Sequence, residues 1–198
     1  MAKAGDARTQ LVQTMGRLLQ DQGYTATGLS QVLAESGVSN GSLYHHFPGG
    51  MEELAEAALE ASGRAVTKEF TRALGGAPDA GEGLCRFLDM AARRLTKDGR
   101  GGCPIAPTAL EVSHLSPRLR AAAARCYVTW EEHIAERLRA DGWPEESVVE
   151  SASAALSLIE GALLLARVSG QLNHLANAQE AARVLLAPRD LHRSDSGA

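Results

Sequence analysis

Basic excess, aromatic content, cysteine and long apolar runs are all scarce in this chain of 198 residues. Lys and Arg number 20 against 24 Asp and Glu, a formal net charge of −4. The basic footprint of a protein that coats nucleic acid or an anionic membrane is absent, so any DNA binding must rest on local arrangement. The cysteines, Cys85, Cys103 and Cys126, are odd in number and lack C-x-x-C spacing. That argues against a disulfide scaffold or a zinc ribbon and fits a reducing, cytoplasmic setting. The most apolar run, Ala152 to Val168, is broken by Glu160 and Arg167. It falls short of about 18 clean apolar residues, so a buried helix is expected there rather than a membrane span. Met1 to Gln10 is polar, and no signal peptide is expected.

What is abundant is alanine, about a sixth of the chain and the strongest helix former, so the composition leans all-α. Apolar spacing agrees. Leu11, Met15, Leu18 and Leu19 mark one face of a helix over Asp6–Gln22, closed by Gly23. Thr27 is expected to cap a helix carrying Leu29, Val32 and Leu33, which Gly37 stops. Ser39 caps a short helix, Asn40–His46, with Leu43 and Phe47 four apart. Longer helices are expected over Met51–Leu74, Asp79–Lys97, Ser116–Ala140, Pro144–Gly170 and Asn173–Leu186, with a short one from Cys103-Pro104 to about His114. No alternating run argues for a sheet, and about nine helices are predicted. The expected division is a head over 1–50, a body over 51–190 and a flexible tail over 191–198.

The informative stretch is Gly23 to Phe47, GYTATGLSQVLAESGVSNGSLYHHF. Two short helices joined by a small turn containing glycine have helix-turn-helix spacing. A recognition helix must be narrow at its N-terminal end to enter a major groove about 12 Å wide. Ser39, Asn40, Gly41 and Ser42 are small there, and an asparagine can pair with an adenine edge. Leu43 and Phe47 face the opposite way, towards Leu18, Leu29 and Val32. Tyr44, His45 and His46 can donate to phosphates or touch thymine methyls, and Thr27 can help hold a phosphate at a helix N-terminus.

These residues resemble the tetracycline-repressor (TetR) family of transcriptional regulators. G-Y-x-A-T, then G-V-S-N-G-S-L-Y-H-H-F, then E-E-L-A match its N-terminal signature, and GCPIAPTALE at Gly102–Glu111 looks like its LmrA-like branch. The resemblance implies an all-α homodimer, a ligand pocket in the C-terminal domain and effector-driven release from a palindromic operator. Two positions depart from the family pattern: Asn40 and Met51 stand where a lysine or arginine often helps contact phosphate. Residues 1–47 hold Lys3, Arg8 and Arg17 against Asp6, Asp21 and Glu35, a formal balance of zero. Binding is therefore expected to lean on hydroxyls, backbone N–H groups and helix dipoles, with a shallow salt dependence.

Other patterns compete. Gly37-Val38-Ser39-Asn40-Gly41 spells G-x-S-x-G, but a nucleophile elbow needs a strand before the serine, and a helix pattern precedes Ser39. A serine hydrolase is therefore the weaker alternative, beside a helical ligand-binding protein without DNA recognition. The histidines have no metal-ligand spacing, and neither metal nor cofactor is expected. Cys103, just before a helix start, is a candidate redox thiol or a plain buried residue. Phe87, Met90, Leu110, Cys126, Trp130, His133 and Leu156 fall on apolar sides of the middle helices and are the candidate effector-binding residues. Trp130 and Phe87 suit a small apolar or aromatic effector. The apolar surplus of the last two helices favours a dimer seam there, with Leu163 as a trial position. The glycines at Gly99, Gly101 and Gly102 suggest a joint between ligand and DNA-reading parts.

Overall fold

The computed structural model describes residues 4–98 and 102–187. Among the described residues there are nine α-helices and no strand. They are α1 (Ala4–Gln22), α2 (Leu29–Ser36), α3 (Asn40–His46), α4 (Gly50–Gly75), α5 (Ala80–Asp98), α6 (Ala106–Val112), α7 (Pro117–Ala140), α8 (Glu145–Ser169) and α9 (Asn173–Leu185). By packing, the chain forms two compact units. The first takes α1–α3, α4 up to Lys68, α6 and α7 up to Thr129; the second takes the rest of α4 and α7 with α5, α8 and α9. This is a grouping of contacts, whereas the expected division at residue 50 is one of role.

In the first unit α1 buries Leu11, Met15, Leu18 and Leu19, as the spacing requires. Gly23 closes it at φ 80°, and its N–H donates to the Leu19 carbonyl at 3.1 Å. The expected cap at Thr27 is corrected. Gly28 holds the N-cap position of α2, while Thr27 is buried with its hydroxyl donating to the Gly23 carbonyl at 2.6 Å. Its oxygen accepts from the Gln22 amide at 3.4 Å, and no side chain caps α2. Further along, Ser116 accepts from the Leu119 N–H at 3.0 Å and so caps α7, while its own hydroxyl donates to Glu52 of α4 at 2.5 Å. Helix α6 is shorter than expected at both ends. Gly63 of α4 lets α7 approach: a Cβ there would lie 2.5 Å from the Cys126 sulfur.

In the second unit Phe70 of α4 stacks on Phe87 of α5, centroids 4.1 Å apart and planes 6° apart, with Trp130 of α7 at 6.3 Å. By length and composition α8 could cross a membrane. It packs instead along α9 and α5 as a core helix, burying Val148, Ala152, Leu156 and Ile159 among others. The chain between α4 and α5 is pinned by Arg137 of α7, which donates to the carbonyls of Leu74 and Ala77 and to Asp141. Asp141 in turn accepts the Ala80 N–H at 2.7 Å, at the start of α5. Both charged side chains are largely buried, 14% and 12% exposed, so removing one strands the other. Arg137→Met should therefore cost about 2–3 kcal/mol of stability, read as a lowered urea midpoint at unchanged m.

Of the expected glycine joint, Gly99 and Gly101 lie outside the described residues, as does the expected tail 191–198. Gly102 has φ 118°, with Arg167 packed where a side chain would go.

Candidate nucleic-acid interface

The site is built on the turn between α2 and α3. Gly37 ends α2 in the left-handed region at φ 67°, its N–H returning to the Leu33 carbonyl. Ser39 then accepts from the Ser42 N–H at 3.2 Å and starts α3, as its place in the sequence predicts. The Ser39 hydroxyl is a helix cap preceded by a helix, so the strand-turn-helix context of a nucleophile elbow is missing. Val38, Leu43 and Phe47 are buried and seat the helix.

The opposite face is open. Asn40, Gly41, Tyr44 and His45 are exposed, and Ser42 and His46 are half-buried. Among the described residues, Asn40, Tyr44 and the two histidines make no hydrogen bond or ion pair to the rest of the chain. Gly41 is informative in another way. A side chain there would meet nothing within 4 Å, so the fold does not require glycine, although glycine in a helix costs about 1 kcal/mol against alanine. A surface that must come close to a partner does require it. Tyr44, 46% exposed, runs beside the start of α4, where a Cβ on Gly50 would sit 3.4 Å from its ring. Thr27 stands apart from this face because its hydroxyl is turned inward.

The cations near this face are already engaged. Arg17 of α1 bonds Glu35 of α2, with Asp21 at 3.8 Å. That bond, with a second from Gln31, holds the Glu35 carboxyl below the usual carboxylate range. Arg8 lies 5.2 Å over the Phe47 ring.

One contact was invisible in the sequence. Glu111 of α6 accepts the Thr25 N–H at 2.8 Å, and Gly23 leaves room for its carboxylate: a Cβ there would lie 2.0 Å from it. The partners are 86 positions apart, and no local pattern pairs them. Glu111 thus ties α6 to the turn that carries α2 and α3.

The candidate effector residues do not form one group. Phe87, Trp130 and Leu156 are buried in the second unit, where Met90 and His133 are half-buried. Cys126 is buried in the first unit, with burial pushing its thiol pKa up. Leu110, also in the first unit, is corrected: it is 73% exposed, because the short α6 turns Thr108 and Val112 inward instead. Phe70, stacked on Phe87, joins this group, and its spacing from Val66 and Leu74 on α4 marks it as an inward position. Cys103 accepts the Ile105 N–H at 3.4 Å and lies 3.8 Å from the Tyr127 hydroxyl. On the second unit, α8 and α9 border an open groove of about 440 Å3 lined by small residues, among them Ser157, Gly161, Ala178 and Ala181. Among the described residues no three His, Cys, Asp or Glu side chains cluster as a metal site would need.

A short capped helix that presents unpartnered polar side chains beyond a glycine turn, in an all-α chain, defines a helix-turn-helix DNA-binding regulator. The comparisons give the family. Residues 16–58 match the bacterial regulatory proteins of the tetR family, and residues 80–181 match the C-terminal domain of LmrA/YxaF-like transcriptional regulators. The chain is 34% identical to the HTH-type transcriptional regulator LmrA of Bacillus subtilis, covering 87% of this chain and 94% of that one. It is equally identical, at 34%, to the uncharacterized HTH-type transcriptional regulator YxaF of the same organism, covering 83% and 87%. Its fold overlays the reduced form of E. coli NemR with a TM-score of 0.83 at 24% identity, over 94% of this chain and all of that one. The protein belongs to the TetR family, with an LmrA/YxaF-like C-terminal domain, and this family and these relatives are transcriptional regulators rather than enzymes.

Because the Glu111 contact is solvent-exposed, its loss should be mild overall and sharp locally. Glu111→Ala should lower stability by about 1 kcal/mol. It should also speed amide exchange at Thr25 relative to the α1 core, as read by hydrogen-exchange mass spectrometry.

Proposed function

We propose that this regulator is a ligand-responsive repressor that acts in the cytoplasm, binds an inverted-repeat operator as a homodimer and is released by a small apolar or aromatic effector. Residues 1–50 are the reading head and residues 51–190 the effector and dimer part. The observation that carries the reading is the outward face of α3, where the side chains of Asn40, Tyr44 and His45 make no hydrogen bond or ion pair among the described residues and Gly41 is exposed. Ser42 and His46 flank that face, and Thr27 supports it through the turn. Ser39 starts the helix and offers its hydroxyl beside the first phosphate. The test begins with genomic fragments retained by the purified chain, which supply the operator. Tyr44→Ala should weaken binding to it at least about tenfold, one good contact's worth, with an unchanged melting temperature. Equal gel-shift affinity would refute this placement.

The effector reading rests on the apolar, aromatic surroundings of Phe87 and Trp130, one face of Phe87 being already taken by Phe70. Release then runs through α6, whose Glu111 holds the Thr25 turn: an effector that favours a displaced α6 would carry the head with it. Apolar aromatic compounds should release the operator, and release by metal ions or sugar phosphates alone would contradict the reading.

The dimer reading rests on apolar surface that the chain leaves open. Leu163, the trial position on that seam, is only 6% exposed and therefore a core residue. Its neighbours Leu164 and Leu165, with Val168 and Val184, face outward beside the small-residue groove. Knobs beside a groove on one face are what a twofold self-complementary seam needs. Leu165→Glu combined with Val168→Glu should halve the mass seen by light scattering at micromolar concentration while keeping the helix signal.

A further inference from the structure

We infer that DNA binding by this chain is proton-linked, with His45 and His46 supplying the positive charge that its reading head otherwise lacks. The inference rests on the DNA-binding reading above. Residues 1–50 contain Lys3, Arg8 and Arg17 as their complement of Lys and Arg. Lys3 lies outside the described residues. Arg8 is committed to the Phe47 ring and Arg17 to Glu35 and Asp21. The helix that carries the outward face, Asn40–His46, has neither lysine nor arginine. Its last turn holds the two histidines, with ring centroids 5.0 Å apart and planes 68° apart.

The neighbouring elements carry charged groups of both signs. On α1 they are Asp6, Arg8, Arg17 and Asp21, and on α2 Glu35, with Arg8 and Arg17 bound as above. On α4, Glu53 accepts the Gly49 N–H at 2.6 Å and Glu52 accepts the Ser116 hydroxyl. On α7, Arg118 comes beside Gly49 but bonds Glu56 at 2.5 Å. Among the described residues none of these forms an ion pair with either imidazole.

Histidine is the side chain whose ordinary titration falls between about pH 5 and 8. A neutral imidazole offers one N–H donor; an imidazolium offers two and a full charge. The C-terminal end of a helix favours that charge, and a phosphate beside the ring favours it further. An imidazole brought against a phosphate therefore holds its proton to higher pH than the same imidazole in free protein. The sign follows. The added affinity is fully present below the free-protein titration and is lost as pH rises through the titration in the complex. Each histidine that binds as a cation also displaces counterions, which a neutral histidine does not.

The test uses the full chain and a mixed-sequence duplex of about three helical turns, so that phosphate contacts dominate and no operator need be known. Affinity is measured by fluorescence anisotropy at constant ionic strength from about pH 6 to pH 8. Affinity should fall at least about tenfold across that range, and the salt dependence should steepen at the acid end by about 0.9 per engaged histidine. His45→Gln with His46→Gln keeps hydrogen-bonding side chains but removes the titration. Its binding should be flat with pH. The single variant His45→Gln, at an exposed position, should keep the fold and lose part of the pH response. Parent binding that does not change with pH, or a pH response that survives in the double variant, overturns the linkage and leaves the DNA-binding reading standing. Binding to DNA at no pH overturns both.

Discussion

The seating of α3 on α1 is the constraint on which the rest of this regulator depends. A helix of seven residues has almost no stability of its own, since nucleation is costly and few backbone bonds repay it. It exists because α3 packs on α1 with Leu43 and Phe47 buried, and because Ser39 satisfies an otherwise free N–H. Burying side chains of that size is worth about 1.5–3 kcal/mol each, more than the whole helix could supply from its own propensity. The same burial fixes the direction in which Asn40, Gly41, Tyr44 and His45 point. The face that holds α3 in place is thus opposite to the face it leaves open.

Around that seat the electrostatics are inward-looking. Arg17 joins α1 to α2 through Glu35, Arg8 covers Phe47, and Glu111 reaches from α6 to the Thr25 backbone. Exposed pairs of this kind contribute little to global stability. Their effect is to hold turns in one geometry, which matters more for a surface that must match successive grooves. The cost is that Arg17 and Arg8 are drawn to groups of their own chain.

In the second unit the apolar surface is distributed unevenly. The inner faces of α5, α8 and α9 close over Leu88, Leu156 and Ile159, and Arg137 with Asp141 stitches the α4–α5 connection to α7. The outer face of α8 keeps Leu164, Leu165 and Val168 in water. An exposed apolar stripe beside a groove lined by small residues together with Leu158, Leu165, His174 and Asn177 is a contiguous apolar patch of the kind that marks interaction surfaces.

The sequence by itself determined the helical class, the order of the helices, the α1 face, the Ser39 and Ser116 caps and the turn at Gly37, because each depends on spacing or capping within a few residues. It also marked the outward residues of α3, since a seven-residue helix with two apolar anchors has little choice of face. The family resemblance read from Gly23–Phe47 and Gly102–Glu111 agreed with the comparisons for the same local reason. Only the tertiary structure decided which way Thr27 turns, that Leu110 faces water and Leu163 the core, that Phe70 stacks on Phe87, and that Glu111 finds Thr25. Each of these is a choice between faces of a helix, a contact between distant positions or, for Thr27, a choice among nearby backbone groups in a turn. Such choices are settled by packing volume and by unsatisfied backbone groups, which appear only once the helices meet.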